Sequence, residues 1–173
     1  MFSFKVTADK NLDKIKIITN DIFRDLRGDL FTIINYQIQK DLIKKKFNNY
    51  FDKIAIRKKN TLTGIHFDNK SWKLITCVNG VILVVLVDCN RKSKTYLKYT
   101  RIILNTKNKS ILIPPGYGVS YLCRSKESFI FYKYLFNGKY IDADKQSTLS
   151  WKDKRINIKW PIKKPILSKR DDI

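Results

Sequence analysis

The sequence predicts an all-β fold: a sandwich, a jelly roll or a closed barrel. Three observations predict it. Short stretches rich in β-branched and aromatic residues recur along the whole chain. Tight-turn residues separate them, and Asn79-Gly80 between two apolar runs is the strongest short-range hairpin signal. Only one stretch, Gln37 to Phe47, carries helical spacing. No repeat, low-complexity segment or long Gly/Ser linker divides the 173 residues, so a single domain over residues 1–173 is expected.

Taken in order, the first strand is expected over Lys14 to Thr19 and the second over Leu30 to Tyr36, with Arg27-Gly28-Asp29 as the turn before it. The helix follows. Ile38, Leu42 and Ile43 share one of its faces, and Lys44 to Lys46 stand near its C-terminal end, where the dipole favours cations. Tyr50 to Arg57 is the next strand. Ser71 to Val78 and Val81 to Asp88 flank Asn79-Gly80 and form the hairpin. Val81 to Val87 is the longest apolar run, seven residues, against the roughly 20 that a membrane-spanning helix needs. It reads as a buried strand. Thr100 to Leu104 and Ser110 to Ile113 lie on either side of the turn Asn105 to Asn108. Pro114-Pro115-Gly116 leads into Val119 to Cys123, and Ser128 to Phe136 is the last strand, closed by Asn137-Gly138.

From Trp151 onward the pattern changes. Trp160-Pro161 and Lys164-Pro165 punctuate an extended, irregular segment holding Trp151, Ile156, Ile158, Trp160, Ile162, Ile166 and Leu167. That is too much apolar surface to leave in water, so the tail is expected to wrap back over the barrel.

Composition narrows the function classes. Apolar residues make up 43%, with 10 Phe, 9 Tyr and 3 Trp, enough to bury a core. The opening Met1-Phe-Ser-Phe-Lys lacks the apolar region of a signal peptide, so a cytoplasmic protein without membrane insertion is expected. Net charge is +21 and the pI is near 9.9. Such a charge suits polyanionic partners. Against that, Lys outnumbers Arg 28 to 8 and lies along the whole chain, as composition bias with a solvated surface would also produce. Cys77, Cys89 and Cys123 are too widely spaced for a zinc site and read as buried small hydrophobes. The single histidine, His66, rules out a His-rich metal centre.

Four residues draw attention as possible chemistry. His66 follows Thr63-Gly64-Ile65, Lys73 begins a strand, Tyr132 shares a strand face with Ile130 and Tyr134, and Asp171 lies near the C-terminus. Spacing alone does not link them, and each also has a purely structural reading.

A set of motifs does link them. Phe23-Arg-Asp-Leu-Arg-Gly28, Gly64-Ile-His66, Lys73-Leu74, Gly80 with its strand into Asp88, and Ser93-Lys-Thr-Tyr96 occur in this order. Ile113-Pro-Pro-Gly116, Tyr132-Lys133, Trp151-Lys-Asp153, Ile158-Lys-Trp-Pro161 and Ile166-Leu-Ser-Lys-Arg-Asp171 continue it. The ordered set spans nearly the whole chain and resembles the nucleotide-sugar 3,5-epimerases, typified by dTDP-4-dehydrorhamnose 3,5-epimerase, whose fold is a cupin jelly-roll barrel. Among subgroups it is most similar to those acting on GDP-linked 4-keto heptoses for bacterial capsules. Leu30-Phe-Thr32, the Asp88-Cys89 pair and the Tyr132-to-Trp151 interval with Gly138-Lys-Tyr-Ile-Asp142 suggest that branch.

The resemblance implies roles that make chemical sense. A C4 ketone acidifies the hydrogens at C3 and C5, and epimerisation needs a base on one face and an acid on the other. His66 would be the base, since imidazole titrates near neutrality. Asp171 would hold its tautomer, Lys73 would stabilise the enolate oxygen, and Tyr132 would return the proton. Arg27 would bind phosphate, unless it pairs with Asp25 or Asp29; Arg57, Asp88 and Tyr140 complete the expected substrate contacts. A homodimer is implied, because the family exchanges N-terminal strands and arginine-bearing loops. The resemblance implies that neither a metal nor an organic cofactor is needed, and nucleic acid is not an expected partner.

Departures mark the substrate shell. Thr63 stands where the family carries an arginine, with Arg57, Lys58, Lys59 or Lys70 as replacements. Gly118-Val-Ser-Tyr121 lacks the second active-site histidine, and Phe51 and Lys53 replace polar amides. Changed specificity, epimerisation at C3 alone, and a non-catalytic cupin that binds a nucleotide sugar or other phosphorylated ligand all remain open.

Overall fold

The computed structural model describes residues 3–105, 107–142 and 145–173. Among the described residues, thirteen strands and one α-helix follow in chain order: β1 (Phe4–Ala8), β2 (Lys16–Asn20), β3 (Ile22–Asp25), β4 (Gly28–Phe31), α1 (Tyr36–Ile43), β5 (Asn49–Lys58), β6 (Ile65–Phe67), β7 (Trp72–Asn79), β8 (Ile82–Asp88), β9 (Tyr99–Leu104), β10 (Lys109–Ile113), β11 (Tyr117–Cys123), β12 (Glu127–Phe136) and β13 (Ser147–Leu149). They form a six-stranded sheet, β1-β2-β10-β7-β12-β5, a five-stranded sheet, β13-β6-β11-β8-β9, and a separate β3–β4 hairpin. All paired strands are antiparallel.

Alternation decides which side chains meet between the sheets. Ile75, Ile111, Ile113 and Ile130 from one sheet pack with Ile82, Val84, Leu86 and Val119 from the other. The odd-numbered residues of β8 point the opposite way. Leu83 joins Leu62 and Leu122 under Trp151, Trp160, Ile162 and Leu167. Val85 and Val87 pack with Ile65 and Ile156 beside Ile158 and Trp160. The seven-residue apolar run is therefore covered on both faces, and the tail does wrap over the barrel. Full burial of each such side chain is worth about 1.5–3 kcal/mol. Among the seven apolar residues expected to cover the barrel, Ile166 is the exception, 55% exposed, and contributes its backbone instead. Its carbonyl accepts from Leu62 N–H at 3.0 Å and its N–H donates to Asn60 at 2.8 Å.

The outer face of the six-stranded sheet carries Ile18, Leu74, Leu112 and Leu135, covered by Leu42 and Ile43 of α1 with Ile33, Ile34 and Phe47. Ile38, expected on the same helix face, has a side chain outside the described residues. The helix is shorter than Gln37 to Phe47 because Lys44 adopts a left-handed conformation, φ 52°, which ends it. Lys45 and Lys46 thus lie beyond its end.

Other expectations shift. The segment from Leu30 to Tyr36 is not one strand. Gly28–Phe31 pairs with Ile22–Asp25, and Ile33 and Ile34 turn inward to the core instead. Strands β1, β3, β6 and β13 were not legible; β6 and β13 have three residues each, too few to display a period of two. The turn expected over Asn105 to Asn108 includes Thr106, which lies outside the described residues. Cys77 and Cys123 are buried and Cys89 partly so, all as free thiols. Burial pushes the Cys77 thiol up to about 11 and Cys89 up to about 12, as small hydrophobes require. No helix among the described residues is long and apolar enough to cross a membrane.

Gly80 closes the β7–β8 hairpin at φ 86°, and a Cβ there would collide with the Glu127 carbonyl oxygen. Gly80→Ala is expected to cost about 1–3 kcal/mol, through left-handed strain and the clash together. Urea unfolding checks this; an unchanged midpoint would show that the hairpin relaxes freely.

Candidate active site

His66 is the middle residue of β6, in register with Val119 on β11 and Thr148 on β13. Its sheet neighbours Ile65 and Phe67 point away from it, and Ile65 is locked under the tail. Lys73 on β7 and Tyr132 on β12 come from the opposite sheet, where Tyr134 pairs with Lys73 and Tyr132 with Ile75. His66, Lys73 and Tyr132 line one cavity of about 90 Å³, together with Thr63, Tyr121, Tyr134 and Gln146. Asp171 is buried directly behind the imidazole, its Oδ1 2.8 Å from His66 Nε2. The four residues singled out by motif thus meet at one place.

Each is held by identifiable contacts. Asp171 accepts from the Ser168 hydroxyl at 2.9 Å. Burial alone would raise its pKa, but His66, Ser168 and the Gly64 amide together hold the carboxyl below its ordinary value. Gly64 leaves room for this contact. A Cβ there would lie 2.6 Å from Asp171 Oδ1 and 3.3 Å from His66 Cε1. Lys73 is almost fully buried, with Nζ 3.3 Å from Asp68 Oδ2. Burial lowers its pKa, and the Asp68 carboxylate opposes that. Asp68 is fixed in turn by the N–H groups of Lys70, at 2.9 Å, and Ser71, at 2.6 Å.

Tyr132 is the acid-like member. Burial, reinforced by the phenols of Tyr121 and Tyr134, raises its pKa well above the ordinary tyrosine value, so it stays protonated at neutral pH. Arg57 is exposed at the rim, in hydrogen-bonding reach of Tyr121 and close enough to Tyr132 to favour its phenolate. Tyr140 packs edge-on against Phe51 at 4.7 Å and Tyr134 at 5.7 Å, and its hydroxyl accepts from Lys53 at 3.0 Å. Phe51 and Lys53 pair in register with Tyr134 and Tyr132, so the departures from the family's amides stand beside the cavity.

Two expected contacts lie elsewhere. Asp88 does not line the cavity. Its buried carboxylate accepts from the Ser93 and Thr95 hydroxyls, each at 2.5 Å, and from the Asn90 N–H at 2.9 Å. It shapes the 89–98 loop, with both oxygens occupied, and the expectation of a substrate contact is corrected accordingly. Arg27 lies on the exposed β3–β4 hairpin, its guanidinium paired with Asp25 at 2.5 Å, and does not reach the cavity of its own chain. Asp68, Tyr121, Gln146, Thr148 and Arg170 went unrecognised. Only Tyr134 carried a signal, the strand face it shares with Tyr132. Among the described residues no cluster of three or more His, Cys, Asp or Glu could hold a metal ion.

A family profile described as dTDP-4-dehydrorhamnose 3,5-epimerase matches residues 9–173. The chain belongs to this family. It is 31% identical over 162 residues to the dTDP-4-dehydrorhamnose 3,5-epimerase of Salmonella typhimurium, covering 91% of this chain and 87% of that one. The Bacillus anthracis dTDP-4-dehydrorhamnose 3,5-epimerase, solved with TDP and PPi bound, is 26% identical with a TM-score of 0.86, covering 99% of this chain and 98% of that one. The Legionella pneumophila dTDP-6-deoxy-D-glucose-3,5-epimerase, solved with dTDP-4-keto-L-rhamnose, has a TM-score of 0.88 at 22% identity, over 98% and 90% of the two chains, which shows the shared fold. The jelly-roll expectation is thus met, and the chain is an isomerase of the nucleotide-sugar epimerase kind.

Gly64→Ala tests the His66–Asp171 contact. Displacing the carboxylate is expected to cost about 100-fold in epimerase turnover, while circular dichroism shows a folded barrel. Full turnover in that variant would mean the contact is dispensable.

Proposed function

We propose that the chain is a cofactor-independent epimerase of a nucleotide-diphospho-4-keto sugar, acting at C3 or at both C3 and C5. One observation carries this reading: His66 and Tyr132 reach one cavity from opposite sheets, with Lys73 lining it from the same sheet as Tyr132 and Asp171 behind His66. His66 takes the proton from the carbon next to the ketone. The C–H electron pair forms a double bond to C4 as the carbonyl π pair moves onto the C4 oxygen, and the buried Lys73 ammonium stabilises the resulting enolate. Tyr132 gives a proton to the other face of the carbon. The imidazolium, facing the Asp171 carboxylate, and the phenolate, near Arg57, then exchange protons with solvent and restore both groups.

Outside the reacting centre, Arg57 and Tyr140 are the proposed contacts to the nucleotide diphosphate. Arg57 takes over from the arginine that Thr63 replaces. The sugar and base form a finer question. Curated relatives are named for dTDP sugars, while the motif resemblance favours a GDP-linked 4-keto heptose. Under the latter reading the chain works in the cytoplasm, in the supply of sugars for capsular or surface polysaccharide.

We also infer a homodimer. The β3–β4 hairpin exposes Phe23, Leu26 and Leu30, and edge strand β5 exposes Tyr50, Ile54 and Ile56. Contact between two copies through these surfaces would bring Arg27 toward the partner's site. Leu26→Arg is expected to shift the protein to monomer in sedimentation velocity and to weaken substrate binding. A monomeric wild type would sink this inference.

The central test is proton exchange. Incubated in D2O with GDP-4-keto-heptose or dTDP-4-keto-6-deoxyglucose, the protein is expected to place deuterium at C3, or at C3 and C5, of its true substrate. His66→Asn is expected to abolish exchange at every position. Binding of both sugars without exchange would instead identify a non-catalytic cupin.

A further inference from the structure

His66 is contacted on both ring nitrogens by consecutive residues of the tail, one directly and one through a hydroxyl. Asp171 faces Nε2 at 2.8 Å. On the other side, His66 Nδ1 is 3.0 Å from the Thr148 hydroxyl oxygen. That oxygen also receives Arg170, whose Nε approaches at 3.2 Å and Nη2 at 3.0 Å. Nη2 donates as well to the Gln146 carbonyl at 3.2 Å, which pins the guanidinium to β13.

Hydrogen-bond arithmetic then assigns the protons. A threonine hydroxyl has two acceptor lone pairs and one proton, and a guanidinium can only donate. Arg170 occupies both lone pairs of Thr148, so the hydroxyl proton is the group left for Nδ1. Nδ1 must accept it, and the proton of the neutral ring falls on Nε2, toward the Asp171 carboxylate. Protonating Nδ1 would ask the Thr148 oxygen to accept a third N–H.

We propose that Arg170, acting through Thr148, is a positioning residue that works with Asp171 to hold His66 with Nδ1 unprotonated, leaving that nitrogen to take the substrate's proton. This rests on the reading of His66 as the base. The acidic carbon then reaches the ring at Nδ1, where it takes the place of the Thr148 hydroxyl. Arg170 and Asp171 thus fix the ring from opposite sides, one through the Thr148 hydroxyl and one directly. The other titratable groups at this cavity are Lys73, Tyr121, Tyr132 and Tyr134. Among the described residues, the hydrogen bond and ion pair of the imidazole go to Thr148 and Asp171 instead.

The chain contains one histidine, which makes the test direct. In protein labelled with 15N-histidine, at about pH 8.5 where an imidazole is neutral, the two ring nitrogens report the tautomer without any substrate. Wild type is expected to show a protonated Nε2 and an unprotonated Nδ1. Arg170→Met frees Thr148 to accept, so the Nδ1–H form is expected to appear; Thr148→Val is expected to give mixed tautomers, and Thr148→Ser to keep the wild-type signature. With the epimerase substrate, Arg170→Met and Thr148→Val should lower kcat about 10-fold or more with a smaller change in KM, and Thr148→Ser should restore it. A wild type protonated at Nδ1, or a tautomer unmoved in both Arg170→Met and Thr148→Val, overturns the proposal. Because the tautomer is read without substrate, it can hold even if no sugar exchanges deuterium, a result that would instead remove the epimerase reading.

Discussion

The return of the C-terminal tail to His66 is the constraint on which the site depends. Strand β8 is apolar on both faces, and one of them has no sheet to cover it. The tail supplies that cover through Trp160, Ile162 and Leu167, and backbone hydrogen bonds at Ile166 fix its path along Asn60 and Leu62. The same path delivers Arg170 and Asp171 to the two sides of the imidazole. Barrel stability and the alignment of the imidazole therefore draw on one set of contacts, and a change that loosens the tail acts on both.

Electrostatics at the cavity follow from scarcity of water. Buried charges are costly unless paired, and here each has a polar partner: Lys73 faces Asp68, and Asp171 faces the His66 imidazole. Isolated apolar residues at these places would pack more cheaply. What the pairs provide is a cation close to a phenol that stays protonated, across the barrel from an imidazole with a carboxylate behind it. The high overall charge has little part in this. Most lysines are exposed and spread over the surface, whereas Lys73 acts through burial.

Legibility differed between parts of the chain for physical reasons. Long strands rich in β-branched and aromatic residues, such as Tyr50 to Arg57 and Ser128 to Phe136, announce themselves by length and composition. The three-residue β6 and β13 do not, because so short a strand has no period to detect. The β3–β4 hairpin was misread because Ile33 and Ile34 continue its apolar character while packing into a different layer. At the site, His66, Lys73, Tyr132 and Asp171 were legible as members of an ordered motif set. Asp88 was misjudged because a carboxylate that caps a loop and one that meets a ligand look alike in sequence. Thr148 and Asp68 had no signal, since a lone hydroxyl or carboxylate gains meaning only from what stands 3 Å away.

By itself the sequence determined the all-β class, the Asn79-Gly80 hairpin, the buried β8 run and the need for the tail to fold back, all properties of local patterning and apolar content. Tertiary structure alone decided that Arg170 and Asp171 flank one imidazole, that Asp68 partners Lys73, and that Asp88 and Arg27 lie away from the cavity of their own chain. Those facts depend on sheet register and on the route of an irregular segment, and pairings between residues distant in the chain leave no period for a sequence to carry.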